Sequence, residues 1–232
     1  MAISAKELPL GKVFTPDFRF TIPSFQRAYI WKTENILQLV SDLDDACKSP
    51  GTPYFLGSLI LVREGDNRYD VIDGQQRLVS LSIMRQLDAL LVEPGDKLRG
   101  IVTEPRLTLR ERDAAFFREH VQEDNLESVF DMNDDDLATA AQRNIVANIR
   151  KTYDEISNWS DAERQQFAQY LVNEVTLVIV NTDDLDGAHR IFDVMNMRGL
   201  PLTSSDVFKA RATAGLSTAE LDVYAARWDD II

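Results

Sequence analysis

The chain has 232 residues, of which 44% are hydrophobic and 27% are charged, a composition typical of a folded, soluble protein. Its 25 basic and 38 acidic residues give a formal net charge of −13, so a phosphate-bearing partner must be met by a local basic site. The single cysteine, Cys47, excludes an internal disulfide and a cysteine-rich zinc site. No apolar run approaches the roughly 20 residues that span a bilayer, and the first residues lack the apolar segment of a secretory signal. These observations predict a cytoplasmic protein without membrane contact.

Local patterns in the first 95 residues predict strands, one hairpin and two helices. Apolar residues alternate over residues 18–22 until Pro23, and turn residues at 64–67 separate two apolar runs. Thr33 is expected to cap the first helix, and Gly57 with Ser58 is expected to pack closely against a neighbouring element. In chain order, the predicted elements are a strand at 18–22, a helix at 34–48, a hairpin of strands 55–62 and 69–72, and a helix that contains residues 78–91.

The remaining residues predict a mainly helical region. Residues 111–136 contain ten acidic and two basic residues, which indicates a solvated helical face with a loop at 133–136 rather than an interaction tail. Ser160 and Glu163 form a capping box. In chain order, the predicted elements are a short strand at 106–109, helices at 137–159 and from 161 to about 174, a strand at 175–180, a helix at 187–197, and two helices opened by Thr203 and Ser217.

Together these elements predict an α+β fold. We expect a small mixed sheet to pack against the helix that contains residues 78–91, and a mainly helical region to follow and return one strand to the sheet. Residues 1–95 are assigned to the first unit and residues 96–232 to the region that completes the same domain. The final helix has no stop signal before residue 232, from which we expect a longer parent protein.

The strongest candidate site is the sequence Asp73-Gly74-Gln75-Gln76-Arg77, where a strand ends and a helix begins. The first N–H groups of a helix lack internal partners and lie at the positive end of its dipole, so they attract anions. Gly74 would let the backbone approach a phosphate, Arg77 would clamp phosphate oxygens, and the two glutamines would orient water or a base. Asp73 would hold a metal ion. The alternative is an ordinary strand-to-helix turn in which Asp73 is only the N-cap.

A second candidate site is the segment 22–32, IPSFQRAYIWK, which combines aromatic and basic side chains. Residues 1–33 contain five basic and two acidic residues, a local positive charge within an acidic chain. Such a segment can stack on a base and contact phosphate. The alternative is that Phe25 and Trp31 are core aromatics and that Arg27 pairs with a carboxylate. The side chains proposed for contact with DNA or a base are Tyr29, Trp31 and Lys32.

A third candidate is Asn196-Met197-Arg198-Gly199, followed by Asp206 and Lys209 on one helical face. Without further information, a helix exit turn followed by a surface ion pair is the better explanation of these residues.

The stretches IPSFQRAYIW at 22–31, FLGSLIL at 55–61, DGQQRL at 73–78 and the NMRG region at 196–209 together resemble the N-terminal domain of GmrSD-type restriction endonucleases. This family is marked by the DGQQR motif and is related to the ParB/sulfiredoxin-like fold. The resemblance covers essentially the whole chain, with its motifs in the same order.

The resemblance implies a regulatory or sensor domain of a modification-dependent restriction system in phage defence. Such a domain binds and hydrolyses nucleoside triphosphate and can sense modified DNA. A C-terminal HNH-type nuclease domain is expected in a longer parent protein, and no nuclease activity is expected from these 232 residues. By position, nucleotide binding and hydrolysis fall on Asp73, Gly74, Gln75, Gln76 and Arg77. The other motif residues expected to line the cleft are Gln26, Arg27, Tyr29, Asn196, Arg198 and Gly199.

Two further expectations concern hydrolysis. Mg²⁺ would offset the phosphate charge, with Asp73 as the candidate ligand. The family usually continues DGQQRLTTL, whereas this chain has Val79 and Ser80. If the first threonine assists a metal or a phosphate, Val79 cannot, which weakens the expectation of hydrolysis.

Two alternatives from other functional classes stay open at this point. One is a non-catalytic module that binds modified DNA in the same cleft, with Tyr29 or Trp31 stacked on a base. The other is a protein-interaction domain with a vestigial cleft. The sequence does not indicate which nucleotide or which DNA modification is recognised, and it leaves a homodimer open.

Overall fold

The computed structural model describes residues 3–49, 51, 53–91, 105–123 and 125–196, with the backbone alone for residues 88–91, 195 and 196. The strands are β1 (Ser4–Pro9), β2 (Arg19–Thr21), β3 (Tyr54–Gly65), β4 (Arg68–Asp73), β5 (Leu107–Thr108) and β6 (Val175–Thr182). The helices are α1 (Leu10–Val13), α2 (Thr33–Cys47), α3 (Gln75–Leu91), α4 (Glu111–Phe117), α5 (Ala140–Ser157), α6 (Asp161–Asn173) and α7 (Leu185–Asn196). Short helical turns follow α4, namely a π-helical turn at Arg118–Gln122 and 3₁₀ turns at Leu126–Phe130 and Asp134–Asp136.

The strands form one mixed sheet in the order β1-β6-β3-β4-β2-β5. β6 is antiparallel to β1 and parallel to β3, and β3 is antiparallel to β4. β2 is parallel to both β4 and β5. The carboxyl ends of β2, β4 and β5 therefore meet at one edge of the sheet. The fold is α+β with a mixed sheet, as the sequence predicts.

One face of the sheet packs against α2, α3, α5 and α6 to form the main hydrophobic core. In α2 the buried residues recur every three or four positions, which is the pattern that places one helical face on a core. The sheet contributes alternate residues to this face, as expected from strand geometry. The fully buried sheet residues include Leu59, Leu61, Val71 and Leu177.

The other face of the sheet carries a smaller apolar cluster of Ile60, Val62, Ile72 and Ala188, the last from α7. Asp70 lies on the same face as Ile72, two residues along β4. Burial, together with the nearby Glu64 carboxylate, raises the pKa of Asp70 to about 6.

Asp70→Asn is expected to stabilise the protein by about 1 kcal/mol at pH 7.5, a figure reduced for the partial exposure of the carboxyl group. The pKa of Asp70 is raised in the folded state, so its favourable contribution is complete below the ordinary aspartate pKa near 4. That contribution is lost as the pH rises through 6. The gain from Asp70→Asn should therefore disappear near pH 4. Urea denaturation at both pH values measures this difference.

Asp66→Asn in the exposed turn between β3 and β4 is the control. It should change the free energy of unfolding by the same amount at both pH values. A gain from Asp70→Asn that is equally large at pH 4 and pH 7.5 would contradict the role of carboxylate burial.

Most predicted elements are confirmed, and their boundaries shift by a few residues. The hairpin, the helix after Gly74 and the strand near 175 are present. The Ser160 hydroxyl accepts the Glu163 N–H, and the Glu163 carboxylate accepts the Ser160 N–H at 2.8 Å, so the capping box is confirmed.

Two predictions about local structure need correction, and two elements were missed. α2 begins at Thr33 itself and its N-cap is Lys32, because the Asn35 side-chain oxygen accepts the Lys32 N–H at 2.9 Å. Residues 133–136 form a 3₁₀ turn rather than a loop, closed by the Asp136 carboxylate on the Asn133 N–H. β1 and α1 were not predicted.

The helices predicted from Thr203 and Ser217 lie outside the described residues. Among the helices that the structure does describe, none has the length and apolar character needed to cross a membrane.

Candidate functional site

A narrow cleft lies at the sheet edge where β2, β4 and β5 end. Its walls come from the residues that follow these three strands and from the first turns of α3. The side chains that matter below are Arg27 after β2, Gln75, Gln76 and Val79 of α3, and Arg110 with Asp113 after β5. The carboxyl edge of parallel strands is where ligands usually bind in sheets of this kind.

Gly74 joins β4 to α3 in a conformation that other residues rarely adopt, with φ at +93°. A Cβ atom at this position would lie 2.2 Å from Leu59 Cδ2. The first helical hydrogen bond runs from the Leu78 N–H to the Gly74 carbonyl. The N–H groups of the first turn of α3 consequently have no partner within the helix.

The two glutamines of the motif have different surroundings. Gln76 is buried, its Oε1 accepts the N–H groups of Ile30 at 2.9 Å and Trp31 at 3.3 Å, and its Nε2 donates to the Ala28 carbonyl at 2.9 Å. Its carboxamide therefore forms the hydrogen bonds with the segment 28–31 that a neighbouring peptide group would otherwise form. Gln75 is only 8% exposed and lines the cleft, and its carboxamide has no hydrogen bond within the part of the chain that the structure describes.

Arg77 holds the start of β3 against α3. Its Nη1 donates to the Leu56 carbonyl at 3.0 Å and its Nη2 to the Ser58 carbonyl at 2.5 Å. These carbonyls flank Gly57, where the ladder between β3 and β6 is irregular, and a Cβ on Gly57 would lie 2.1 Å from Nη1. The predicted close packing at Gly57 is confirmed, and its partner is Arg77. Phosphate clamping by Arg77 stays a prediction.

The environment of Arg77 also affects its protonation and that of its neighbour. Burial lowers the pKa of the Arg77 guanidinium, while the Asp73 carboxylate acts in the opposite direction. Asp73 Oδ2 lies 3.4 Å from Arg77 Nη2, and Asp73 is partly exposed. No backbone N–H of the described first turn of α3 donates to the Asp73 carboxylate, so a simple N-cap role is not supported.

Asp73 suits a limited role in metal binding. Within the described residues, no three His, Cys, Asp or Glu side chains lie together as a metal-binding group. Mg²⁺ is often held by one or two carboxylates together with substrate phosphates and water. A partly exposed single carboxylate at the start of α3 fits that mode.

The segment 26–32 has no regular secondary structure and is fixed by side chains of neighbouring elements. Within the segment itself, Gln26 Nε2 donates to the Ile72 carbonyl of β4 at 3.0 Å. From α5, Asn144 Nδ2 donates to the Tyr29 carbonyl at 3.2 Å, and Asn148 Nδ2 donates to the Trp31 carbonyl at 2.9 Å. With Gln76 on the other side, these bonds hold the segment between α3 and α5.

Tyr29 is a buried member of this network and is only 4% exposed. Its hydroxyl accepts from Asn148 Nδ2 at 2.8 Å and lies 2.8 Å from Ser80 Oγ. Burial raises the pKa of Tyr29 to about 12, and the two hydrogen bonds lower it by less. Tyr29 lines the cleft with little exposed surface, so stacking of its ring on a base stays a prediction.

The other residues predicted to contact DNA differ in exposure. Trp31 is partly buried and packs against the main core. Lys32 is exposed and its Nζ donates to Asn144 Oδ1 at 3.0 Å. Arg27 is exposed, lines the cleft and forms no ion pair with a carboxylate among the described residues.

Sequence reasoning missed Arg110 and Asp113. It assigned Asp113 to a solvated face, yet Asp113 is 2% exposed, and Arg110 is 9% exposed. Both line the cleft because β5 pairs in parallel with β2. The signal that could have found them is their position directly after a predicted strand.

The third predicted group of residues is mostly outside the described chain. Asn196 is the last residue of α7, where only the backbone is described. Arg198 and Gly199, with Asp206 and Lys209, lie outside the described residues. Their approach to the cleft stays a prediction.

Comparison with known proteins agrees with the family indicated by the motifs. The family described as GmrSD restriction endonuclease, N-terminal domain, matches residues 10–213. A search of curated proteins found no match. The matched region includes all three candidate sites and nearly the whole described structure. The chain therefore belongs to the family of N-terminal domains of GmrSD restriction endonucleases, which makes it a protein of restriction and phage defence.

Proposed function

We propose that this chain is a nucleotide-binding regulatory domain of a restriction protein and that it hydrolyses a nucleoside triphosphate. The phosphates bind in the cleft at the first turn of α3, where unpartnered helix N–H groups attract anions. A modified DNA and a nuclease domain in a longer parent protein would be the partners that the nucleotide controls.

The observation that carries the proposal is the hydrogen bonding of the Gln75 side chain. Gln75 as a residue is only 8% exposed, but its carboxamide is not among the fully buried polar groups and has no hydrogen bond within the described residues, so it is open to the cleft that it lines. A ligand in the cleft would supply hydrogen-bond partners. The glutamine lies beside the N-terminus of α3, and the exposed guanidinium of Arg27 lines the same cleft.

The motif residues divide into two groups in this proposal. Gln75 and Arg27 contact the phosphates or the attacking water, and Asp73 would hold Mg²⁺ that enters with the nucleotide and offsets its charge. Gln76 shapes the cleft, because its carboxamide already binds backbone groups of residues 28–31, and Arg77 fixes the start of β3.

Hydrolysis would follow the usual course of phosphoryl transfer. The oxygen of a water molecule bonds to the γ-phosphorus as the bond from that phosphorus to the β–γ bridging oxygen breaks. The products are a nucleoside diphosphate, inorganic phosphate and a proton. Gln75 would orient the water, whereas Val79 in the cleft wall supplies no hydroxyl group. Binding and hydrolysis must therefore be measured separately.

Calorimetric titration with GTP, ATP and CTP in the presence of Mg²⁺ tests binding, and release of phosphate tests hydrolysis. Arg27→Gln and Gln75→Ala are each expected to weaken binding about 10-fold or more, as for the loss of a hydrogen bond to a charged group. Asp73→Ala should abolish phosphate release.

The matched control is Lys12→Gln on α1, which removes one exposed positive charge beside β1 at the other end of the sheet. It should bind like the unmodified protein. If Arg27→Gln and Gln75→Ala also bind normally while remaining folded by circular dichroism, the phosphate site is not in this cleft.

One alternative is a module that binds modified DNA without nucleotide turnover. Ile30 and Lys32 are exposed in the segment beside the cleft, and Lys32 could contact the DNA backbone. Binding to modified DNA that weakens steeply with salt, in a protein that binds none of the three nucleotides, would favour this alternative.

A further inference from the structure

We infer that Arg110 is a second phosphate-binding side chain of the cleft and that Asp113 and Thr139 orient it. This inference rests on the proposed function, because it assigns an additional group to the same nucleotide site. Arg110 belongs to none of the sequence motifs discussed above.

Arg110 lines the cleft beside the segment that carries Arg27, because β5 is the neighbour of β2 in the sheet. It directly follows β5 and is the N-cap residue of α4. Its Nη1 donates to the Gln26 carbonyl at 3.3 Å, and its Nη2 lies 3.8 Å from Asp113 Oδ2. The guanidinium is thus linked to the residue that precedes Arg27 in the chain.

Asp113 is itself fixed from α5. Thr139, the N-cap of α5, donates its hydroxyl to Asp113 Oδ1 at 2.6 Å and accepts the Gln142 N–H at 3.1 Å. A buried carboxylate with such a short hydrogen bond has a defined position. It can therefore hold the Arg110 guanidinium in one orientation at the base of the cleft.

The chemistry of arginine allows one side chain to contact protein groups and a ligand at the same time. A guanidinium carries five N–H donors in a planar fork that matches phosphate oxygens. Arg27 and Arg110 follow two neighbouring strands, β2 and β5, and line the same cleft as the first turn of α3. Two cations in one cleft beside a helix N-terminus suit a ligand with more than one phosphate group, such as a nucleoside triphosphate.

A purely structural role for Arg110 makes a different prediction. Its contacts with Gln26 and Asp113 would then affect folding stability alone, and nucleotide affinity would not depend on the guanidinium. The shape of the side chain separates the two roles, because lysine keeps the positive charge but loses the planar fork.

The test is calorimetric titration of the full chain with GTP, ATP and CTP and Mg²⁺, using whichever nucleotide the unmodified protein binds. Arg110→Gln should weaken binding about 10- to 100-fold, and Arg110→Lys should restore it only in part. Arg118→Gln, which removes an exposed arginine from the π-helical turn after α4, is the matched control and should bind normally.

Variants of Thr139 test the same inference if the Arg110 variants fail to fold. Thr139→Val removes the hydroxyl that holds Asp113 and should weaken binding about 3-fold or more, whereas Thr139→Ser should restore binding. Thermal melting without ligand checks that each variant is folded.

The outcomes distinguish this inference from the function on which it rests. If the unmodified protein binds none of the nucleotides, both fail. If it binds one of them, and folded Arg110→Gln binds as tightly as Arg118→Gln, the role of Arg110 is refuted while the nucleotide site stands. If Arg110 variants do not fold, equal binding by folded Thr139→Val and Thr139→Ser refutes it.

Discussion

Replacing Gly74 with alanine should lower the free energy of unfolding by about 3 kcal/mol, the sum expected for a disfavoured backbone conformation and an overpacked core. The added Cβ atom would lie 2.2 Å from Leu59 Cδ2 and 3.2 Å from the Ser58 carbonyl oxygen, at a φ of +93°. Leu59 is fully buried, so it cannot turn aside into solvent. Urea denaturation monitored by circular dichroism measures the loss.

Gly51→Ala separates the two causes of this loss. Gly51 also has a positive φ, +85°, but among the described residues no atom lies within 4 Å of the position where its Cβ would be. This variant should lose only about 1 kcal/mol, from the backbone alone. If the two variants lose the same amount, close packing is not the reason for the glycine in the motif.

Replacing Gln76 with alanine should destabilise the protein by about 2–4 kcal/mol, because buried backbone groups would lose their partners. The affected groups are the Ala28 carbonyl and the N–H groups of Ile30 and Trp31. Segment 28–31 has no strand beside it to replace these bonds. The free energy of unfolding from urea denaturation is again the measurement.

The adjacent Gln75 is the matched control, since the same side chain is removed from a similarly buried position. Gln75→Ala should cost less than about 1 kcal/mol, because no hydrogen bond within the described chain is lost. Under the proposed function its effect should appear in nucleotide affinity instead. Equal losses of stability in the two variants would contradict the division of roles between the glutamines.

The sequence predicts those parts of the fold that depend on local patterns. The hairpin of β3 and β4 has two apolar runs with turn residues between them, and α6 has its capping box. β1 could not be predicted in this way, since its residues are mostly exposed and its stability comes from pairing with β6, more than 160 residues away. Non-local pairing of this kind leaves no local pattern.

The candidate site was also predictable only in part. The sequence identifies the DGQQR motif at a strand-to-helix junction, and the structure confirms that position. It treats Gln75 and Gln76 alike, but adjacent helical residues point about 100° apart, so one lines the cleft and the other binds the neighbouring segment. The sequence did not reveal that Asp113 is buried, because its acidic neighbours indicate an exposed helical face. Only the pairing of β5 with β2 places Asp113 in the cleft.

The position of β6 between β1 and β3 has a consequence for biosynthesis. Until Val175–Thr182 has left the ribosome, β1 has no neighbour to pair with and β3 exposes the backbone groups that β6 will later cover. Nascent chains shorter than this would thus display unpaired strand edges, which favour association with other chains. We expect chaperone dependence to be greatest before this strand emerges and to fall once it does.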